Sequence, residues 1–280
     1  EAAKATFPEL AVSLNKAHKI ILVGDHQQLP PVLDTEIIRN NKEKLDEEGL
    51  AQGVFERMYN MFPEDNKHRL TIQYRMHPTI GTLISHVFYN DEIQNGVEAQ
   101  DRELCIEGYE GIAIEWISTS KYSTKERYEK EFDNNGKKSY QNYLERNIIE
   151  RKLLELDSKL VKRTKVAVIT GYGSQKYILQ TMVKQHSFKH IEVDVDTVDA
   201  FQGSQKDIIL YSTVRSSGNK YGIGFLKSEA RINVAFSRAR CLLIIVGDMK
   251  FLDNYKIRGN KFPEIIKYIT ESEGCRIIEK

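Results

Sequence analysis

Two rhythms of apolar and polar residues run through the chain. From Val193 to Thr197 every second residue is acidic, the period of a strand with one face in a core. Lys19 to Val23, Gly111 to Ile117, Lys165 to Thr170, Ile208 to Thr213 and Cys241 to Val246 are instead short, nearly unbroken apolar runs, which suit parallel strands buried on both faces. Leu70 to Gln73 is a further short strand. Helical spacing begins at Glu1 and continues toward Leu14, returns around Val54 to Met61, and recurs after Pro78, where Ile80, Leu83, Ile84, Val87 and Phe88 form one face. It marks Gln141 to Leu160 through the stripe Ile149, Leu153, Leu156 and Leu160. Glu229 to Arg240, with Ile232, Ala235 and Phe236 inward and Arg238 at its end, and Pro263 to Thr270 complete the set. Strands and helices alternate, so the expected fold class is α/β, a parallel sheet with helices on both faces. Two charged stretches lack any stripe. Asn40 to Gly49 is expected to be a solvated connector, dividing a lobe of residues 1–45 from one of 46–280, and Lys121 to Lys138 a mobile loop or an insertion, without chemistry.

Several strands end on turns that can bind. Ligands of open α/β sheets sit at the carboxyl ends of strands. Gly24-Asp25-His26-Gln27-Gln28-Leu29-Pro30-Pro31 follows one such end, which aims Asp25 and Gln28 at a phosphate. Thr197-Val198-Asp199-Ala200-Phe201-Gln202-Gly203-Ser204-Gln205 follows another, and Gly203 lets a backbone N–H approach a ligand. Taken singly, each is an ordinary polar turn.

Taken in order they are not. Together with Gln73-Tyr74-Arg75-Met76-His77-Pro78 and Asn233-Val234-Ala235-Phe236-Ser237-Arg238-Ala239-Arg240, these stretches resemble the later motifs of superfamily 1 helicases, above all the up-frameshift and senataxin type. The resemblance covers nearly the whole chain. It implies a RecA-like P-loop NTPase fold, with a nearly complete second lobe preceded by the tail of a first. It also implies roles: Glu1 acts on the attacking water, Gln28 senses the γ-phosphate, and Arg75 and Arg238 contact that phosphate from the second lobe. Asp25, Tyr74 as an adenine stacker, Gly203 and Gln205 bind nucleotide. Thr170, Gln175 and Thr197 contact single-stranded nucleic acid, RNA or DNA. Two positions depart from the family pattern: Gly171 replaces a proline, and Gln205 replaces a glutamate that accepts from the ribose. Gly222-Ile223-Gly224-Phe225-Leu226 is a further family-like signature.

The same resemblance implies ATP and Mg²⁺ as cofactors, yet no G-x-x-x-x-G-K-[ST] phosphate loop occurs in the 280 residues, and the Mg²⁺-binding aspartate expected before Glu1 is absent, so this chain holds no metal ligand of its own. The expectation is a chain cut inside that acidic motif, partnered by a P-loop-bearing N-terminal half and inactive alone. A non-hydrolysing RecA-like module that binds nucleic acid or protein is the alternative; a nuclease lacks a carboxylate cluster. Composition narrows little further. Forty-one basic residues face forty acidic ones, so a nucleic-acid site must be a local groove. Three scattered cysteines suit neither disulfides nor a metal, and Cys241 is expected in the core. No run reaches the roughly 18 apolar residues of a membrane span, and a cytoplasmic or nuclear protein is expected.

Overall fold

The computed structural model describes residues 1–31, 53–134, 137–217 and 222–279. They form two compact units, Glu1–Leu70 and Thr71–Lys280. The expected lobe boundary at residues 45–46 and the connector Asn40 to Gly49 lie outside the described residues.

In the first unit, Phe7–Leu14 and Val54–Met61 are helices. Thr6 and Glu9 cap the former reciprocally, which satisfies donors the first turn leaves open. Ala2, Leu10 and Phe55 make its small core. Lys19 to Val23, expected as a buried strand, is not one: Ile21 is 80% and Val23 68% exposed. A parallel strand exists only through its neighbours, and among the described residues the one backbone cross-link here is Ala2 N–H donating to the Val23 carbonyl at 2.8 Å.

Among its described residues the second unit holds ten strands. Ile72–Gln73 (β1) and Gln94–Asn95 (β2) form a short parallel pair. Ile114–Ser118 (β3) precedes a hairpin of Lys130–Asn134 (β4) and Lys137–Gln141 (β5). Thr164–Thr170 (β6), Ile191–Thr197 (β7), Lys206–Ser212 (β8), Ala239–Gly247 (β9) and Cys275–Glu279 (β10) follow. Six of them make one parallel sheet in the order β10-β3-β9-β8-β6-β7.

Both faces of that sheet are covered. Val166, Val168, Ile208, Leu210, Leu242, Ile244 and Val246 pack with Ile148, Ile149, Leu153 and Leu156 of the Tyr143–Lys159 helix and with Leu179 and Met182 of the Gly173–Val183 helix. On the alternate side chains Tyr211 meets Phe236 edge to face at 5.4 Å, and Trp116 meets Phe262 at 6.0 Å. Those rings bring in the Glu229–Phe236 and Phe262–Glu271 helices. Each large apolar side chain so buried contributes about 1.5–3 kcal/mol.

Two expectations about the second unit need correcting. The charged stretch Lys121 to Lys138 is not a structureless loop, because Thr124–Arg127 is a helical turn and β4 pairs antiparallel with β5. The chain also does not close on the Phe262–Glu271 helix: β10 follows and pairs with β3, where Arg276 reaches the buried Glu115 at 2.9 Å and Lys152 joins the same carboxylate at 3.1 Å. Among the described residues no helix is long and apolar enough to cross a membrane.

Candidate functional site

In the first unit Asp25 and Gln28 share one turn. The Asp25 carboxylate accepts from the Gln27 N–H at 3.0 Å and from the Gln28 amide at 2.7 Å. Leu29, in the next position, is buried. Glu1 is exposed and its carbonyl accepts from the Lys4 N–H at 3.1 Å.

In the second unit the loop Gln73 to His77 is folded around a side chain. The Gln73 amide oxygen accepts from the N–H groups of Arg75 and Met76, at 2.9 and 2.8 Å, and its nitrogen donates to the Met76 carbonyl and to Asn95. Arg102 ties down the Tyr74 and Arg75 carbonyls at 2.7 and 2.9 Å. His77 then caps the Pro78–Phe88 helix through Nδ1, which accepts from the Thr79 N–H. Burial lowers the His77 pKa against the pull of Glu103, which favours the neutral ring that can accept. Tyr74 is left 63% exposed.

This loop meets the other arginine of the pair. Arg75 donates to the Ser237 carbonyl at 3.2 Å, and Arg238 donates to the Ser237 hydroxyl at 3.2 Å and the Val234 carbonyl at 3.0 Å. The helix that carries Val234 ends at Phe236, short of the expected Arg240, because β9 begins at Ala239. Arg238 therefore sits in the two-residue turn between helix and strand, almost fully buried. Its other side faces the Ser204 carbonyl at 3.5 Å, in the turn where Gly203 takes φ +84° and Gln205 is exposed. The structure thus gathers Arg75, Arg238 and the Gly203–Gln205 turn around Ser237.

The residues expected to touch nucleic acid behave differently. Thr197 is half-buried at the end of β7, but Thr170 and Gln175 are fully buried. Gln175 turns its amide inward: its oxygen accepts from the Asn142 N–H at 2.7 Å, and its nitrogen donates to the Asn142 carbonyl and the Ser212 hydroxyl. In this conformation it positions two loops and presents nothing to a groove.

The hub of that network lies on the helix expected over Gln141 to Leu160, whose stripe pointed to packing alone and which the structure forms as Tyr143–Lys159. Glu145, wholly buried, accepts from the Ser212 hydroxyl at 2.6 Å, the Thr213 hydroxyl at 3.1 Å and the Val214 N–H at 2.9 Å. Val214 stands at φ +69°, a conformation that costs a β-branched residue about 1–3 kcal/mol. Arg215 follows, buried between Glu129 at 3.1 Å and the Tyr140 ring at 4.0 Å. Glu129 also accepts from the N–H groups of Ser216 and Ser217. The overlooked hairpin thus closes over the carboxyl end of β8. Spacing could have exposed Glu145 only as an acidic residue interrupting the apolar side of a helix.

The AAA domain family matches residues 50–250, and a second family, also described as AAA domain, matches residues 1–36. The chain is 36% identical to "Regulator of nonsense transcripts 1 homolog" of Neurospora crassa over 92% of its length, and 36% identical to "ATP-dependent helicase NAM7" of Saccharomyces cerevisiae over 99%. It is 31% identical over its full length to "Uncharacterized ATP-dependent helicase MJ0104" of Methanocaldococcus jannaschii. It spans 23%, 27% and 40% of those three proteins, less than half of each. Among solved structures, the PRRSV helicase aligns with 89% of this chain and 33% of its own at 17% identity and a TM-score of 0.42.

Burial pushes the Glu145 carboxyl up to about 8, against the opposing pull of Ser212, Val214 and Thr213. The folded state therefore holds this proton more tightly than an unfolded chain, with its ordinary value of 4.5, and the stability so gained is lost as pH rises toward 8 and beyond. Glu145→Gln cannot ionise. The melting temperature of the wild-type chain relative to Glu145→Gln should fall steadily between pH 5 and roughly 8.5. A difference that stays flat or grows over that range contradicts the buried, proton-holding role.

Proposed function

The chain belongs to the AAA domain family in its superfamily 1, up-frameshift-like helicase form, with a RecA-like α/β fold, and from that premise we propose that it supplies the second lobe of an ATP-driven nucleic-acid translocase and helicase. The observation that carries this reading is the convergence of Arg75 and Arg238 on Ser237 beside the Gly203–Gln205 turn. Phosphoryl transfer asks little covalent chemistry of a protein; it needs charge neutralised on the transferred group and a water held in line. Two guanidinium groups fixed by one turn answer the first need.

The residues present fit a nucleotide phosphate. Arg238 donates to the Val234 and Ser204 carbonyls and the Ser237 hydroxyl, and a phosphate oxygen beside its guanidinium would be a stronger, charge-assisted acceptor than any of these three. Tyr74 offers an exposed ring to adenine, and Asp25 and Gln28 lie in the turn proposed to sense the γ-phosphate. The chain contains no phosphate loop. We therefore assign the grip on ATP and Mg²⁺ to a P-loop-bearing lobe, with Glu1 acting on the attacking water, and the charge-neutralising arginines to this chain.

In this reading residues 1–45 belong to that first lobe and 46–280 to the second, the Val54–Met61 helix packing within the first compact unit. Single-stranded nucleic acid crosses the carboxyl edge of the sheet near Thr170 and Thr197, held through backbone contacts that read no sequence. The family points to the cytoplasm, or the nucleus of a eukaryotic cell.

Two outcomes test the proposal. Pure chain, with saturating single strand, should release no phosphate from ATP above background in a coupled assay; turnover by this chain alone contradicts the division of labour. It should nonetheless bind single strands weakly and without sequence preference. For about three neutralised phosphates, affinity should fall roughly 20-fold between about 50 and 200 mM salt. Binding that ignores salt, or that is confined to duplex, speaks against the nucleic-acid role.

A further inference from the structure

Five side chains form a continuous stack across the carboxyl edge of the sheet. It starts at the buried Arg215, whose guanidinium lies 4.0 Å from the centre of the Tyr140 ring. Tyr140 meets Tyr172 edge to face at 5.4 Å, Tyr172 meets Phe225 at 5.2 Å, and Arg231 lies 4.8 Å from the centre of the Phe225 ring. Tyr140 and Tyr172 are buried, whereas Phe225 is 44% exposed although Ile223 and Leu226, on either side of it in the chain, are fully in the core. A large ring is thus held rigidly from within and shown to solvent.

Two features say what could lie on it. Arg231 is gripped by both oxygens of Asp199, at 3.1 and 3.0 Å, so its charge is already answered. The surface at Phe225 therefore offers a polarised π face rather than a net charge, which suits a neutral planar ring better than a phosphate. The second feature is Gly171, which directly follows β6. A Cβ placed there would come 3.3 Å from the Phe225 Cβ and 3.9 Å from two of its ring carbons, so the missing side chain is what leaves that flank of the ring uncovered.

We propose that Phe225 is a stacking platform for one nucleobase of a bound single strand, with Gly171 leaving the space beside it and the Arg231–Asp199 pair holding the ring in place. The assignment rests on the reading of this edge as the path of a single strand. It adds a base contact to a path otherwise held through the backbone, and such stacking tolerates any base.

The test uses this chain and two strands of equal length, an oligothymidylate and its abasic counterpart, followed by fluorescence anisotropy at low salt. Phe225→Leu should weaken thymidylate binding by roughly 5- to 100-fold, the range expected for loss of one stacked base, and leave abasic binding within about twofold of wild type. Phe225→Trp should match or exceed the wild type on thymidylate. Free thymidine monophosphate in excess should leave the strand bound, which separates a base in a strand from a loose nucleotide. A Leu variant that loses both strands alike, or neither, overturns the platform, as does a Trp variant no better than Leu. A wild-type chain that binds neither strand overturns the helicase reading and the platform with it; binding of the abasic strand as tightly as thymidylate overturns the platform alone.

Discussion

A carboxyl group without water must be given donors, and in this protein one such group fixes the carboxyl edge of the sheet. Glu145 takes the hydroxyls of Ser212 and Thr213 and the N–H of Val214, and those three residues are the point at which β8 leaves the sheet. The left-handed backbone at Val214 would relax without it. Because Asn142 and Gln175 join the same network, the exit of β8 and the start of the helix after β6 cannot move separately. The hairpin adds Glu129 and Tyr140 around Arg215, so three segments far apart in sequence agree on one loop geometry.

The arginine turn is built by a second economy of space. Only Ser237 and Arg238 separate the Glu229–Phe236 helix from β9, and the N–H of His77 is bonded to the Arg240 carbonyl at 2.7 Å. The loop bearing Arg75 is thereby tied to the strand that follows Arg238. Neutralising a phosphate needs charged groups held in advance, since a preorganised dipole or cation costs no rearrangement during the reaction. Here the holding is done by backbone carbonyls, Gln73 and Arg102, none of which touches the chemistry proposed.

Much of the fold was legible because buried parallel strands are written as apolar runs. Lys165 to Thr170 and Cys241 to Val246 fall inside β6 and β9, and Val54 to Met61 is a helix with the same limits. The failures share a cause, which is that pairing is non-local. Lys19 to Val23 has a strand's composition but no neighbour to pair with among the described residues, β4 and β5 hide in a charged stretch, and β10 is four half-buried residues and the exposed Glu279, placed through Glu115 on the neighbouring strand. At the site, the motifs named Arg75, Arg238 and Gly203, which the fold does bring together. They could not say which way Gln175 faces, and they were silent about Glu145 because a buried acid on a helix carries no signature without its donors. Cys241 likewise proved only partly buried, its thiol raised to about 11 by that burial.

The central claim is that Arg238 is held ready for a phosphate rather than for the fold, although it lies almost fully buried against the Val234 carbonyl. The direct test joins this chain to a P-loop-bearing lobe and compares Arg238→Ala with the parent, measuring ATP turnover at saturating single strand and the melting temperature of each. A finger role predicts turnover reduced by about 1,000-fold with the melting transition unchanged. Turnover within a few-fold of the parent, or turnover lost only together with the fold, contradicts it.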